Sequence, residues 1–352
     1  MIGYPANQIF DYSPLYDFFK LCINNIGDPL SDGPYKVKAH EFEKEVVEFI
    51  ADITGIKDNN FWGYVTNGGT EGNMYGLYVA REMFPDSIVY YSKEAHYSIP
   101  KILKLLKMPS IAINTIECGE ICLDDLKDSL KINRTKVPII LATIGTTMKG
   151  AIDPVGKILE LIKDLSFPNH YIHCDSALGG MILPFCEGAE SFGLADGVHS
   201  LSISGHKMLG SPMPCGIVLA RKDFVDRIGQ SVEYIGSIDT TLSGSRNGHT
   251  TLLLWYAIQK HGKDGFQNII SNCIENADYL IEELAKKGIG AWRNKHSITV
   301  VFPRPCEKLI NKWQIAIQGN IAHIITMPQV TKEQVDKFIA DYSLCECLPK
   351  YS

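Results

Sequence analysis

Short, largely apolar runs recur through the middle of this chain, each followed by an amphipathic stretch. No other feature limits its fold as much. Ser87–Tyr91, Ile111–Ile116, Pro138–Thr143, His170–Asp175, His199–Ser204 and Gly216–Arg221 read as strands, and helical spacing fills Glu71–Met83, Ser98–Lys107, Leu123–Lys131 and Val155–Leu165. Strands that are apolar on both faces must be covered on both faces. This pattern predicts an α/β fold with a mostly parallel central sheet flanked by helices. His40–Ile53 is a further helix, with Phe42, Val46, Phe49, Ile50 and Ile53 at helical spacing. A long helical region, Thr250–Lys287, leads to a tail that repeats a strand–helix pattern. That tail reads as Ser297–Phe302, a helix near Glu307–Gln318, Ile321–Met327 and Thr331–Tyr342. The expected organisation is an N-terminal arm (1–39), a large domain (40–255) and a small C-terminal α/β domain (256–352), within the 352 residues.

Composition removes several function classes. The formal net charge is −6 with no basic run, which disfavours nucleic-acid binding. No apolar stretch reaches the roughly 18 residues that span a bilayer. The opening MIGYPANQIFDYSP has neither a basic region nor an apolar core, so no signal peptide is expected and the chain is placed in the cytoplasm. The ten cysteines are scattered without a CxxC pair, which suits thiols in a reducing compartment, and no metal site is expected.

In open α/β sheets, ligands sit beyond the carboxyl ends of the strands. Four segments stand at such positions. Thr66-Asn67-Gly68-Gly69-Thr70-Glu71-Gly72-Asn73 enters a helix. Its paired glycines, free helix-start N–H groups and Thr70 hydroxyl suit an anion, although a threonine cap after a tight turn explains the same residues. It lacks the spacing of a nucleotide loop. Asp175 ends the run Tyr171-Ile172-His173-Cys174. A carboxylate there can keep a pyridine nitrogen protonated, or simply cap the next turn. Lys207, in Ser204-Gly205-His206-Lys207, follows an apolar strand and sits among small residues. Burial would make its amine nucleophilic, and a surface His-Lys pair is the plain alternative. His96, in Ala95-His96-Tyr97-Ser98, can stack on an aromatic ring or pass a proton, or serve only the fold. A cluster of His173, Cys174 and Asp175 on one metal is disfavoured, because neighbours on a strand point to opposite faces.

The order of glycine loop, histidine, strand-terminal aspartate and then lysine matches the order in which fold-type I pyridoxal-5′-phosphate (PLP) enzymes present their site. The chain resembles the group II PLP-dependent amino acid decarboxylases, specifically bacterial histidine-acting and plant serine-acting members. The resemblance rests on Trp62-Gly63-Tyr64-Val65 with the TNGGTEGN loop, His96-Tyr97-Ser98, Ile144–Thr147, Gly150–Asp153 and His173–Ala177. It continues through Ser204–Lys207, Pro214–Gly216, Gly244–His249, Ala291–Phe302 and Ile321–His323, and so covers nearly the whole chain. It departs at the N-terminus, where family members carry a further helix before the GYP segment.

The resemblance implies that Lys207 binds PLP as a Schiff base, Asp175 pairs with the ring nitrogen, His96 stacks on one ring face and Ala177 packs on the other. Gly68, Gly69, Thr70, Ser204 and His206 are implied at the phosphate, and Thr147 near the phenolic oxygen. Tyr234 is the candidate acid that protonates Cα. Ser245 and Arg246 are expected to reach a site in a homodimer with a shared active site. The implied reaction is decarboxylation of a small amino acid. Gly68, Met208–Ser211 and Ala291–Pro303 resemble the histidine enzymes, whereas Asn25–Pro29, Tyr171–Asp175 and Trp313–Gly319 resemble the serine enzymes. Residues beside the lysine weigh more, so L-histidine to histamine is expected, with L-serine to ethanolamine as the alternative.

Overall fold

The computed structural model describes residues 1–31, 34–56, 60–233 and 236–343. After a 3-10 turn at Ser13–Lys20, the chain forms β1 (Asn24–Ile26), α1 (His40–Ile53), β2 (Phe61–Thr66), α2 (Gly69–Met83), β3 (Ser87–Ser92), α3 (Ser98–Leu105) and β4 (Ser110–Ile113). It continues through α4 (Leu123–Ile132), β5 (Val137–Thr143), α5 (Val155–Asp164), β6 (Tyr171–Asp175), β7 (Ser200–Ser204), β8 (Gly216–Arg221) and α6 (Lys222–Val225). Then come β9 (Gln230–Val232), β10 (Ser237–Asp239), β11 (Ser245–Asn247), α7 (Gly248–Lys286), β12 (Thr299–Pro303), α8 (Glu307–Trp313), β13 (Ala316–Gln318), β14 (Ile321–Ile325) and α9 (Lys332–Ser343).

Seven strands form the central sheet in the order β2-β8-β7-β6-β5-β3-β4. All run parallel except β8, which is antiparallel to both its neighbours. The carboxyl ends of β2, β3, β5, β6 and β7 therefore share one edge, where Gly216 at the start of β8 also lies, in register with Thr66 and Ser204. One face carries an aliphatic core with α1, α4, α5 and the first part of α7, and the other packs Trp62, Tyr64 and Tyr75 with α2 and α3. This is the mostly parallel, helix-flanked sheet that the apolar runs predict.

β2 appears in the sequence only as an aromatic-rich stretch. It is an edge strand with every residue from Trp62 to Thr66 buried, held in register by β8. The helix expected near Glu307–Gln318 ends at Trp313. Gln314 is left-handed (φ 51°), which stops the helix, and Ala316–Gln318 pairs with β14 instead. The long helix α7 breaks at Gly262 (φ 57°), a conformation that favours glycine. Phe266, Ile270 and Cys273 still pack in the large core, while Ala277, Leu280 and Leu284 pack against the three-stranded sheet β12-β14-β13 with α9.

Seven cysteines among the described residues are free thiols, whereas Cys306 is disulfide-bonded, a departure from the all-thiol expectation. No described helix is long and apolar enough to cross a membrane.

Candidate functional site

The strand ends surround a cavity of about 430 Å³. It gathers Gly69, Thr70, His96, Thr147, Asp175, Ala177, Ser204, His206 and Lys207 from five separate segments. Gly68 lines an adjoining opening that shares Gly69, Thr70 and His206 with it. Tyr234 lies outside the described residues.

The floor is set by a close approach of α2 to the sheet. Gly69, Gly72 and Gly76 fall on one face of the helix. A β-carbon on Gly69 would lie 2.7 Å from Ser204 Oγ, and one on Gly76 would lie 2.2 Å from His173 Nδ1. The start of α2 thus drops onto the ends of β6 and β7. Its N-cap, Gly68, supplies no side-chain acceptor. The amides of Gly69, Thr70 and Glu71 have no acceptor among the described residues, and all three residues line the cavity or its adjoining opening, so this helix start suits an anion.

Below that floor, His173 is fixed by a continuous chain. Tyr171 OH donates to Ser200 Oγ (2.9 Å), the Ser200 hydroxyl donates to His173 Nδ1 (2.7 Å), and His173 Nε2–H donates to Asn73 Oδ1 (3.0 Å). Both ring nitrogens are used, and burial lowers the pKa to about 3, so this ring is a neutral structural strut.

Asp175 is 4% exposed and accepts one weak bond, from the Ala177 amide at 3.3 Å. Lys207 is half-buried, and its amine makes no hydrogen bond or ion pair with any described residue. Burial lowers its pKa, opposed by the charge of Asp175. The loop that carries it is tied by Gly205 N–H to Cys215 O (2.8 Å) and Gly210 N–H to Lys207 O (3.1 Å). His96 Nδ1 accepts the Ser98 amide (3.3 Å) and sits 2.8 Å from Ser98 Oγ. A neutral His96 therefore carries its proton on Nε2. Burial and, more weakly, Lys207 push its pKa down while Asp175 pushes it up. His206 donates Nδ1–H to Cys215 O (3.0 Å).

These residues fit PLP. The set holds an unpartnered amine, a buried carboxylate with spare acceptor capacity, a helix start for a phosphate and a neutral imidazole. Thr143 Oγ1, in the cavity wall, is buried without any partner, which leaves a polar contact for a bound group.

The family follows from comparison with known proteins. A model described as the pyridoxal-dependent decarboxylase conserved domain matches residues 17–302. The chain belongs to the pyridoxal-dependent decarboxylase family. A histidine decarboxylase of Vibrio anguillarum is 46% identical over 100% of this chain and 92% of its own length. Those of Acinetobacter baumannii and Morganella morganii are 49% and 47% identical, each over 97% of this chain and at least 90% of their own. Among solved structures, L-methionine decarboxylase from Streptomyces sp. 590 superposes with TM-score 0.88 at 24% identity, covering 98% of this chain and 92% of that one. At that identity the likeness speaks to the fold, which is the fold-type I α/β architecture of PLP decarboxylases. This decarboxylase is thus an enzyme that uses pyridoxal phosphate.

Two parts of the decarboxylase cavity were not read from the sequence. Gly3, Tyr4 and Pro5, expected as an irregular arm, form one wall, and Ala316, His323 and Ile325 of the small sheet form another. A signal existed in His323, a polar residue inside an apolar strand. Arg246 corrects an expectation. It does not reach out toward a partner, because it is 4% exposed and its guanidinium is paired with Glu43 and donates to Gly27 O (3.0 Å) within its own chain. Ser245 is exposed, and its hydroxyl accepts from Asn24 Nδ2 at 3.1 Å.

Proposed function

We propose that this decarboxylase converts L-histidine to histamine and carbon dioxide. The supporting observation is the 46–49% identity, over 97–100% of this chain, to curated enzymes named for histidine decarboxylation. Bound PLP supplies an aldehyde that condenses with amines and a ring that accepts the electron pair of the breaking Cα–carboxylate bond. In this reading the Lys207 amine would hold the cofactor through its aldehyde. Asp175 keeps the ring nitrogen protonated, and its burial without a cation in contact suits that task. His96 would lie neutral against one ring face, and Ala177 would limit the other. Gly68, Gly69, Thr70, Ser204 and His206 would hold the phosphate, and Thr147 would lie near the phenolic oxygen. Tyr234 returns a proton to Cα after carbon dioxide leaves.

The reading includes a homodimer whose copies share the site. The turn Ser13–Lys20 buries none of its residues, and Tyr16 (62%), Phe18 (43%) and Phe19 (43%) are exposed. Tyr97 lines the cavity yet is 70% exposed, which a second chain would cover. Light scattering on the purified protein measures the assembly, and a monomer at working concentration would refute it.

The test of substrate is a panel of histidine, serine and aromatic amino acids with PLP, reading the amine produced. Histamine is the expected product. Ethanolamine from serine, with histidine untouched, would replace this reading by the serine one.

A further inference from the structure

His323 sits in the middle of β14, where side chains alternate between faces. Ala322 and Ile324 enter the small core with α7 and α9, while His323 and Ile325 face the cavity. The His323 ring is 1% exposed. Its Nδ1 lies 3.0 Å from the carbonyl oxygen of Met148, and its Nε2 lies 3.1 Å from that of Gly3. Carbonyl oxygens only accept. A neutral imidazole has one N–H and satisfies one of them, whereas an imidazolium has two and satisfies both.

The two carbonyls belong to different walls of the cavity. Gly3 leads directly into Tyr4 and Pro5. Met148 follows Thr146 and Thr147 on the loop after β5. One ring therefore joins three segments far apart in sequence, all lining the cavity. Other ties hold each wall on its own: Ile2 N–H donates to Trp313 O (3.2 Å) and Ile2 O accepts from Ile325 N–H (2.9 Å), while the loop is closed by Thr146 N–H to Ala151 O and Gly150 N–H to Thr146 O (each 2.8 Å) and by Asn294 Nδ2 to Lys149 O (2.9 Å). The His323 ring is what links the two walls to each other through its two nitrogens.

We propose that His323 is a positioning residue for this cavity: doubly protonated, it pins Gly3–Pro5 and the Thr146–Met148 loop together, and on losing one proton it releases one of them. The proposal deepens the amino-acid decarboxylase reading, since the pinned walls bound the space for the substrate. The neighbours leave the ring's own proton as the switch. β12 and β13 place Val301 and Ala316 beside it in register. The N-terminal segment offers Tyr4, and the loop offers Lys149, which is paired with Glu94 at 3.3 Å. Across the cavity stand Lys207, Asp175, His96, His206 and Tyr97. Burial pushes the ring's pKa below its usual value, and the two carbonyls push it back up. The fully pinned state thus belongs to the acid side and is lost as pH rises through that pKa.

Amide hydrogen exchange of the PLP-loaded wild type, corrected for intrinsic rates, tests the pin without relying on turnover. Protection of peptides covering 2–6 and 146–151 is compared at about pH 5 and about pH 8, and at least one of the two is expected to lose protection about tenfold at the higher pH, as for one charge-assisted bond. His323→Gln keeps donors but does not titrate, so its protection should be the same at both pH values. Unchanged protection in the wild type, or a Gln variant that keeps the wild-type pH dependence, would overturn the proposal. In the active enzyme, the KM of His323→Gln relative to wild type should fall about tenfold over the same pH range with little change in the kcat ratio, and a constant KM ratio counts against the pin. A wild type that makes no histamine would remove the substrate assignment while leaving the exchange result to judge His323.

Discussion

Arg246 and Lys207 are both cations drawn out of water, and the protein treats them in opposite ways. Arg246 is consumed by its own chain. Its guanidinium pairs with Glu43, which is 0% exposed, bonds Gly27 O and lies 5.2 Å over the Tyr64 ring. Glu43 in turn accepts from Asn25 Nδ2 and the Val65 amide, each at 2.8 Å. Lys207 has no acceptor among the described residues, and the nearby Asp175 takes only one weak amide bond from them. A desolvated amine left without an acceptor costs free energy that a purely structural residue would have no reason to bear. Anchoring within its own chain, through both terminal nitrogens with only Nε left without a partner among the described residues, marks the first as architecture, and open valence marks the second as a place for another molecule.

Substitutions can break that contrast. Lys207→Ala should lower turnover by roughly 10⁴-fold or more, as loss of a covalent catalyst does, while thermal stability of the apoprotein holds or rises. A near-normal rate in a stopped amine assay would end the assignment. Arg246→Met should act the other way round. It strands Glu43 and should cost about 3–5 kcal/mol in urea unfolding, with kcat per folded molecule preserved. Adding Glu43→Leu should recover much of that loss. If the single variant unfolds normally but loses activity, Arg246 belongs to the site after all. Asp175→Asn should retain PLP by its visible absorbance yet lose about 10²-fold in kcat, the scale of one electrostatic group at a reacting centre. Full activity in Asp175→Asn would remove it from the ring-nitrogen role.

The smallest effect is in pH. His173 and His199 are buried, and burial lowers both pKa values to about 3. A histidine depressed in the fold stabilises above its unfolded pKa and loses that contribution as pH falls. Unfolding free energy should therefore drop below about pH 6.5, with each ring contributing at most about 1.4 kcal/mol per pH unit. A flat profile between neutral and mildly acid pH, measured by urea titration, would mean that neither ring is held neutral by burial, and half the expected slope would mean that one of them is solvated.

The chain's local patterns made the large sheet legible. Apolar runs such as Pro138–Thr143 admit few other burials, and because they are strands, the polar residues after them had to collect at one edge. That is why Asp175, Lys207 and His96 could be picked out by position and chemistry together. The glycine spacing of α2 was visible too, but its purpose was not. Gly72 and Gly76 matter because Ser202 and His173 lie where their β-carbons would be. β2 was missed because an edge strand buried on both faces, by aromatics on one and aliphatics on the other, has no simple alternation of apolar and polar residues.

What the amino-acid order determined by itself is short-range: where strands and helices form, which chemistry stands at their ends, and the family to which those motifs point. The tertiary structure alone decided which distant groups meet. Arg246 and Glu43 are 203 residues apart, and His323 and Gly3 are 320 apart. Each of those side chains could look like a ligand or a strut from its neighbours in sequence. The distinction lies in whether the fold brings an acceptor to it, and that is settled by packing over distances that no local pattern encodes.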